Sequence, residues 1–373
     1  APLSSPLPDD QTERIEAARL AGEQAALRAK KSVEEAVAGA KPDMLLLSAT
    51  PNLEEHIMEG IASIFPGVPI YGGSAADDNL ERKWFVCSTE DVYHGDAVLL
   101  TAMYTSCHVA VSLATLHKET AHRVLVTKLG ADSRTIAEID HKPAAERLAE
   151  LGTSGDGPLR KLGVTISHAL EELRSPTSGK KEVNIQSDSS LCPLARASVD
   201  GDGTRHFQLI HPSCLRRDGS VTTFAAVQEQ EELVLLSVKS EGELAEAAEG
   251  TARAAVDLSQ LSPTFGEAQG ALLIYCAGCF MALRPHMASV AERIKSGLPS
   301  PDGKDLPFVC GFTFGEQGPV GIGGESVHCN LMFNICLFGG PKVPPPPSSQ
   351  STGPPSPNTP TTKSIVRRVR DFL

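Results

Sequence analysis

The stretch from Pro307 to Gly318, PFVCGFTFGEQG, decides how the rest of the sequence is interpreted. It begins with a short apolar run of the kind that forms a β-strand, and it ends in Gly-Glu-Gln-Gly, which favours a turn. A glycine at a strand end also lets backbone N–H groups come close to a ligand, because no Cβ atom blocks the approach. The stretch therefore predicts a strand that either ends in an ordinary tight turn or helps to hold a small molecule.

A similar stretch, FPGVPIYGGSAADD, occurs much earlier in the chain. Both stretches follow a helical segment, a buried strand and a second helix, and both precede further strands. The sequence thus predicts an α+β fold with mixed, largely antiparallel sheets covered by helices, and an internal duplication of a helix-strand-helix-strand-strand module. The aligned positions are Gly72-Gly73-Ser74 with Gly311-Phe312-Thr313, and Asp77 with Glu316.

The composition argues against several classes of protein. Hydrophobic residues make up 41% and charged residues 21% of the 373 residues, as in soluble globular proteins. A net charge of -12 disfavours binding to nucleic acid, which depends on Lys and Arg contacts to phosphate. No apolar run is long enough to predict a transmembrane segment. The nine cysteines are scattered through apparent strands, which favours reduced thiols and an intracellular, reducing compartment.

The C-terminal part of the chain differs in composition from the rest. Residues 341–373 begin with PKVPPPPSSQSTGPPSPNTPTTK and end with SIVRRVRDFL. The first segment predicts a disordered tail rich in Pro, Ser and Thr. In the second, Ile365, Val369 and Phe372 fall on one face of a short, basic, amphipathic helix. A helix that docks onto a protein partner and a frayed terminus are both consistent with this pattern.

Several segments together resemble the FIST family. LPFVCGFTFGEQG, preceded by ALLIYCAGCFMALRPHMASVAERIKSGL, is similar to the C-terminal half of that family, which has a Cys-x-Gly strand end and a Gly-Glu turn. VHCNLMFNICLF resembles the strand in which the family carries a His-Asn pair. Earlier segments such as FPGVPIYGGSAADD occur in the family's order, so the resemblance covers Pro42 to Gly340.

The resemblance implies a sensory module of signal transduction that binds a small ligand, such as an amino acid. FIST modules also occur in F-box proteins of ubiquitin signalling, and some bacterial relatives bind haem. This chain departs from the pattern in three places: its N-terminal part looks incomplete, Cys279 stands where many relatives have Arg, and Cys329 separates His328 from Asn330. The predicted organisation is an N-terminal helix at 1–40, a partial FIST N-terminal domain at 41–140, a FIST C-terminal domain at 141–340 and the tail at 341–373.

The two glycine turns supply the predicted ligand site. Their backbone N–H groups would bind a carboxylate, and the carboxylates of Asp77 and Glu316 would bind an ammonium group, so an amino-acid-like zwitterion fits. VHCNLMFNICLF is predicted to be one long strand with His328, Asn330 and Asn334 on its polar face. Tight turns whose acids merely cap neighbouring backbone are the alternative. The predicted ligand-binding residues are Gly72, Gly73, Ser74, Asp77, Cys276, Gly278, Gly311, Thr313, Gly315, Glu316, His328 and Asn330.

Cys276 and Cys279 form a Cys-x-x-Cys motif between a strand and a predicted helix start. That position lowers the pKa of a thiol, as thiol oxidoreductases require, so these two are the alternative catalytic residues of a redox enzyme. Buried structural thiols explain the motif equally well. No metal site is predicted, because the sequence has no second Cys pair and no spaced His pair.

No cofactor is predicted, although His211 and His328 are the histidines best placed to hold a haem. The sequence favours a binding module over an enzyme. Two alternatives to the sensory module remain: the thiol-dependent enzyme, and a protein-interaction scaffold or ubiquitin-pathway substrate receptor without its own F-box.

Overall fold

The computed structural model describes residues 10–37, 39–77, 81, 83–89, 91–199, 203–260, 262, 264–298, 305–321 and 323–342. The predicted C-terminal tail lies outside these residues, apart from Pro341 and Lys342. Among the described residues, none of the helices is long and apolar enough to cross a membrane. The helices are α1 (Gln11–Val37), α2 (Glu54–Ile64), α3 (Ala144–Ser154), α4 (Gly157–Arg174), α5 (Gln186–Ser189), α6 (Glu241–Gln260), α7 (Ala277–Leu283) and α8 (Met287–Gly297).

Strands carry most of the remaining ordered backbone. They are β1 (Met44–Ala49), β2 (Ile70–Ser74), β3 (Phe85–Cys87), β4 (Val92–His94), β5 (Val98–Met103), β6 (Cys107–Thr115), β7 (Lys118–Leu129), β8 (Thr135–Ile139), β9 (Lys142–Pro143), β10 (Glu182–Asn184), β11 (Leu194–Val199), β12 (Arg205–Ile210), β13 (Pro212–Arg216), β14 (Val221–Thr223), β15 (Glu232–Ser237), β16 (Gly270–Cys276), β17 (Phe308–Thr313), β18 (Glu316–Pro319), β19 (Ser326–Cys329) and β20 (Met332–Pro341).

These strands form three larger sheets and one hairpin. A five-stranded sheet has the order β19-β18-β2-β1-β5, and a four-stranded sheet has the order β17-β16-β20-β6. The strands of the middle region form a nine-stranded sheet with the order β10-β13-β14-β8-β7-β15-β11-β12, to which β9 adds through β8. Strands β3 and β4 pair only with each other. Helices and mixed, largely antiparallel sheets confirm the α+β prediction.

The predicted duplication is also confirmed. In the first copy, β1 pairs in parallel with β2 and antiparallel with β5. In the second copy, β16 pairs in parallel with β17 and antiparallel with β20. The registers correspond, because Leu47 lies opposite Gly72 and Ile274 lies opposite Gly311. The alignment of the two glycine turns therefore reflects equivalent positions in two sheets.

Each copy contributes a strand to the sheet of the other copy. Strand β18 follows β17 but pairs with β2, and β6 follows β5 but pairs with β20. The facing surfaces of the two sheets bury Met44, Tyr71, Val111 and Cys336 between them. Apolar burial of this kind, together with the exchanged strands, fixes one module against the other.

Helix α1 belongs to the first copy. Asp10 caps its first turn, because Asp10 Oδ1 accepts a hydrogen bond of 3.0 Å from the backbone N–H of Glu13. Helix α1 packs closely on α2 because both carry glycine at the crossing. A Cβ atom on Gly60 would lie only 2.0 Å from the carbonyl oxygen of Arg19.

The prediction of one long strand over VHCNLMFNICLF is wrong. Strand β19 ends at Cys329 in the five-stranded sheet, and β20 begins at Met332 in the four-stranded sheet. Leu331 between them has a φ of 59°, a left-handed conformation that alternation of residue types does not reveal. His328 and Asn330 are therefore positioned by a change of sheet.

Candidate functional site

A cavity of about 280 Å³ lies where the two copies meet the middle sheet. Its wall is assembled from the start of α2, the approach to β8, strand β13, the junction of β16 with α7, and the turn before β20. Its aromatic and long apolar side chains are Trp84, Phe224, Met281 and Phe314. Its lining residues with charged, titratable or amide side chains include Glu54, Asp77, Arg134, His211, Cys276, His328 and Asn330.

Five of the predicted ligand-binding residues line this cavity: Asp77, Cys276, Gly278, His328 and Asn330. The other seven are not among its lining residues: Gly72, Gly73, Ser74, Gly311, Thr313, Gly315 and Glu316. Of these seven, six lie at or next to the contact between the two glycine turns. Gly311 stands apart, because it is exposed on β17 with no atom within 4 Å of where its Cβ would be. The ligand-binding role of all twelve stays a prediction.

The two glycine turns meet directly, through hydrogen bonds between their backbones. Ser74 N–H donates to the carbonyl of Gly315 at 2.8 Å, and Phe314 N–H donates to the carbonyl of Ser74 at 3.1 Å. A Cβ atom on Gly73 would lie 2.3 Å from the side chain of Thr313, so only glycine allows this approach. The backbone donors expected to bind a carboxylate are in part used to join the turns.

A chain of buried polar side chains lies behind the junction. Ser74 Oγ donates to Glu54 Oε1 at 2.7 Å and accepts a 3.0 Å hydrogen bond from Gln317 Nε2. The same amide nitrogen lies 3.0 Å from His328 Nδ1. The other ring nitrogen, Nε2, is 3.9 Å from Glu54 Oε2. The network holds the His328 ring in one orientation at the cavity wall.

Arg134 neutralises two glutamates at the start of α2. Its Nη2 donates to Glu54 Oε2 at 3.3 Å and to Glu55 Oε2 at 2.5 Å. Asn52, which has a φ of 99°, turns the chain so that its N–H also donates to Glu54 Oε2 at 2.8 Å. Burial would raise the pKa of Glu55, but the charges of His328 and Arg134 and backbone hydrogen bonds, including one from Ala226, lower that pKa to about 2. Glu55 is therefore ionised at neutral pH.

Glu316 is fully buried beneath the junction and does not reach the cavity surface. Its Oε2 accepts from Met332 N–H and its Oε1 from Thr313 Oγ1, each at 3.1 Å. Burial, together with the nearby charge of Cys276, raises the pKa of Glu316 well above its usual value. Because its carboxyl group is enclosed and already hydrogen-bonded to Thr313 and Met332, Glu316 is not available to an ammonium group in the cavity and acts as an internal hydrogen-bonding group.

Cys276 and Cys279 lie together at the start of α7 and are 3% and 1% exposed. Burial would raise the pKa of Cys276, but hydrogen bonds from the Cys279 thiol and from backbone N–H groups, among them that of Gly278 at 3.3 Å, lower it. The hydrogen bond to Cys276 and burial both raise the pKa of Cys279. The two thiols thus have different protonation tendencies, and only Cys276 borders the cavity.

The histidines considered for haem both line the cavity. Burial lowers the pKa of His211 to about 4, so its ring is neutral, and its Nε2 lies 3.1 Å from the carbonyl of Gln186 and 3.0 Å from Ser189 Oγ. A volume of about 280 Å³ is at the lower limit of pockets for drug-sized ligands. The cavity is too small for a porphyrin, so the residues present do not fit a haem. Within the described part of the chain, no group of three or more His, Cys, Asp or Glu could hold a metal ion.

Two buried oxygen atoms at the cavity have no hydrogen-bond partner among the described residues: Asp77 Oδ1 and Asn330 Oδ1. Asp77 uses its other oxygen to accept from Lys83 N–H at 3.2 Å, and Asn330 Nδ2 donates to the carbonyl of Phe314 at 2.9 Å. An unpaired buried acceptor is costly, so these two oxygens favour a ligand that brings N–H or O–H donors. Arg134 supplies hydrogen-bond donors to the same cavity, because its Nε and Nη1 donate to no described residue.

The sequence analysis did not select Glu54, Arg134 or Trp84 as site residues. Glu54 lies at the start of α2 and Arg134 immediately before β8, and neither position indicates chemistry by itself. The positive φ of Asn52 could have drawn attention to the start of α2, but it is a property of the backbone and not of the sequence. These residues become neighbours only when segments far apart in the chain pack together in the fold.

Comparison with known protein families gives two matches. A model described as FIST N domain matches residues 5–142, and a model described as FIST C domain matches residues 169–319. No curated protein matches the chain. The expectation that the N-terminal part is incomplete is wrong, because the first match extends over α1 and the whole first copy. The physical reason is the close packing of α1 on α2, which makes that helix an integral element of the module.

Proposed function

Because the chain belongs to the FIST family, we propose that it is a sensory module that binds an amino-acid-like molecule in the 280 Å³ cavity. The observation that carries the proposal is a pair of buried oxygens, Asp77 Oδ1 and Asn330 Oδ1, that have no hydrogen-bond partner among the described residues and lie in a cavity that Arg134 also borders. The acceptors suit an ammonium group and the guanidinium suits a carboxylate. A small zwitterion carries both.

The surroundings of the cavity favour a small ligand with a short side chain. Trp84, Met281, Phe224 and Phe314 give the wall an apolar part against which a side chain would pack. The carboxylates of Glu54 and Glu55 are already paired with Arg134, so they do not compete for the ammonium group. A bound ligand would donate hydrogen bonds to Asp77 Oδ1 and Asn330 Oδ1, and these hydrogen bonds would supply free energy of binding.

A ligand in the cavity would contact residues that lead directly into the strands of the second copy. Phe314 connects the cavity to β17, and Asn330 connects it to the change of sheet before β20. Asn330 also donates to the carbonyl of Phe314, so the two connections are coupled by one hydrogen bond. A ligand that hydrogen-bonds to Asn330 would therefore affect both β17 and the turn before β20, and a signalling partner that contacts these strands could respond to it.

The first test replaces Asp77 by Asn. The substitution keeps the size of the side chain but removes its charge, so we expect the affinity for an amino acid to fall by about 10-fold to 100-fold, as for a lost hydrogen bond to a charged group. The ligand is first found by thermal shift against the standard amino acids and by native mass spectrometry, and its affinity is then measured by calorimetry.

The matched control is Asp257→Asn, because Asp257 is an exposed Asp on α6 that undergoes the same change of charge. It should leave the affinity unchanged. If no amino acid stabilises the protein, the proposed ligand class is wrong. If Asp77→Asn and Asp257→Asn bind equally well, Asp77 is not part of the site.

A second candidate function is thiol-dependent redox catalysis, and the hydrogen-bonded pair of Cys276 and Cys279 favours it. The Cys276 thiolate would attack a substrate disulfide and release one substrate thiolate, and Cys279 would then attack the Cys276 sulfur of the mixed disulfide and release the second. Two electrons pass to the substrate, which leaves as two thiols, and the enzyme is left as the Cys276–Cys279 disulfide. Glutathione, a small thiol, would reduce it again.

This candidate predicts measurable reduction of insulin disulfides by the protein in the presence of glutathione. Both Cys276→Ser and Cys279→Ser should abolish the reaction, whereas Cys192→Ser, at another buried thiol, should not. A rate equal to that of glutathione alone excludes the dithiol enzyme. The sensory proposal is unaffected by that result, because it needs no thiol chemistry.

A further inference from the structure

Strand β17 forms an outer edge of the four-stranded sheet, and among the described residues no strand pairs with its free side. Two of its apolar side chains are exposed to solvent, Val309 at 68% and Phe312 at 42%. From Leu306 to Gly315 the chain carries no charged residue. Natural edge strands are usually protected by lysine, by a bulge or by a covering element, so an uncharged and apolar edge indicates a pairing surface.

The duplication shows how the equivalent edge is used in the other copy. There the counterpart of β17 is β2, and its outer side is covered by the antiparallel strand β18. Glu316 lies opposite Gly73, and Gln317 lies opposite Gly72. The corresponding place beside β17 is open. An antiparallel strand is therefore the covering element that this architecture accepts at that position.

One hydrogen bond fixes which backbone groups of β17 are available. Ala271 N–H donates to the carbonyl of Pro307 at 3.0 Å, so Pro307 faces β16. Because backbone polarity alternates along a strand, Val309 and Gly311 also face β16, and Phe308, Cys310 and Phe312 present N–H and C=O to the outside. Pro307 has no N–H, but this position faces β16, so the free edge of β17 loses no hydrogen-bond donor there.

The sequence of β17 is self-complementary about Cys310. It reads Phe-Val-Cys-Gly-Phe from 308 to 312, with a phenylalanine two residues to either side. A two-fold axis perpendicular to the sheet would place Cys310 opposite Cys310 of a second copy and Phe308 opposite its Phe312. All outward-facing residues then become hydrogen-bonded pairs. On the other face, Val309 lies opposite Gly311 of the second copy, so a large side chain meets an open position.

We propose that the protein forms a homodimer in which β17 pairs antiparallel with β17 of a second copy. The two four-stranded sheets join into one sheet of eight strands, and the contact is isologous, since the same residues serve on both sides. Phe312 already packs against Phe280, with ring centroids 4.6 Å apart. These apolar groups extend the surface that the second copy covers.

The net charge gives this interface a characteristic salt dependence. Each copy carries a net charge of -12, so two copies repel one another over the distance that salt leaves unscreened. The contact itself contains no ion pair that salt could weaken. Added salt should therefore strengthen the dimer, whereas an interface held by ion pairs would weaken.

The test is sedimentation velocity of the full chain from low to high micromolar concentration, with Val309→Lys and Cys310→Pro as edge variants. Lysine places a charge at the interface, and proline removes an N–H that faces the outer side of the edge strand. We expect each variant to weaken dimerisation at least about 10-fold. Val199→Lys is the matched control, because Val199 is 59% exposed on β11, away from this edge.

Oxidative cross-linking gives a second readout that does not depend on a variant. In a hydrogen-bonded antiparallel pair the Cα atoms are about 5.5 Å apart, within the range that a disulfide spans. Added diamide takes two electrons and two protons from the two Cys310 thiols, so we expect an intermolecular disulfide that peptide mass spectrometry assigns to 310–310.

Three results would overturn the proposal. One is a monomer at every concentration and salt tested. Another is a dimer that Val309→Lys and Cys310→Pro leave as tight as Val199→Lys does. The third is a dimer whose intermolecular disulfides never involve Cys310. Neither support nor failure of the dimer bears on ligand binding, since the cavity is formed within one copy.

Discussion

Replacing Arg134 by Met should lower the free energy of unfolding by about 3 to 5 kcal/mol, because it leaves two carboxylates without their counter-charge. Glu54 is 2% exposed, and Glu55 depends on Arg134 and His328 for its lowered pKa. Removing one partner of a buried ion pair costs far more than the pair itself contributes. Urea unfolding at neutral pH, without added ligand, measures the difference.

Two further variants separate this explanation from a simple loss of packing. Arg123→Met removes an arginine whose pairing with Glu119 lies at the surface, and it should cost at most about 1 kcal/mol. Adding Glu54→Gln to Arg134→Met removes the unpaired charge but keeps one oxygen, which can accept from either Ser74 or Asn52. The double variant should recover at least about 1 kcal/mol. If it is as unstable as Arg134→Met alone, charge is not the cause.

Acid should destabilise the protein strongly between pH 6.5 and pH 4, because two histidines are buried in their neutral form. Burial lowers the pKa of both His117 and His211 to about 4, against 6.5 for the unfolded chain. As the pH falls through this window, these two histidines bind protons in the unfolded state but stay largely neutral in the folded state. The stability that is fully present above pH 6.5 is therefore lost, by about 3 kcal/mol for each histidine when pH 4 is reached.

The variant that tests this is the double substitution His117→Gln and His211→Gln. Glutamine can still donate to the carbonyls of Ser190 and Gln186 that the rings now contact, but it does not titrate. The double variant should be less stable at pH 7.5 and should lose much less stability between pH 6.5 and pH 4.5. His94→Gln is the control at an exposed ring. An unchanged slope in the double variant would show that these histidines do not drive acid unfolding.

The sequence was sufficient for the repeated architecture. Apolar runs such as LLL at 45–47 and ALLI at 271–274 are buried strands because apolar side chains leave water, and each precedes a helix and a strand ending in small residues. Since both copies use the same pattern, their alignment placed Gly72 and Gly311 at equivalent positions. The resemblance to the FIST family rested on the same segments, and the family matches agree with it.

The candidate site was only partly predictable, because its residues come from segments far apart in the chain. Asp77, Cys276 and Asn330 lay in segments whose turns or spacing suggested chemistry. Arg134 lay in a segment that reads as part of a strand pair, and nothing local marks it as the partner of Glu54. An ion pair across 80 residues exists only after the first copy and the middle sheet have packed together.

Glu316 shows most clearly what the sequence could not predict. Its sequence context, a glutamate after a glycine at a strand end, predicted a ligand-binding carboxylate. The chain instead crosses from β17 into the sheet of the other copy, which buries that side chain under the junction and raises the pKa of its carboxyl group well above the usual value. Alternation along a strand tells which residues share a face, but it does not tell what covers that face. The sequence by itself determined the two modules and their glycine-ended strands, whereas only the tertiary structure decided which polar groups were left without a partner, because burial and pairing depend on contacts between distant segments.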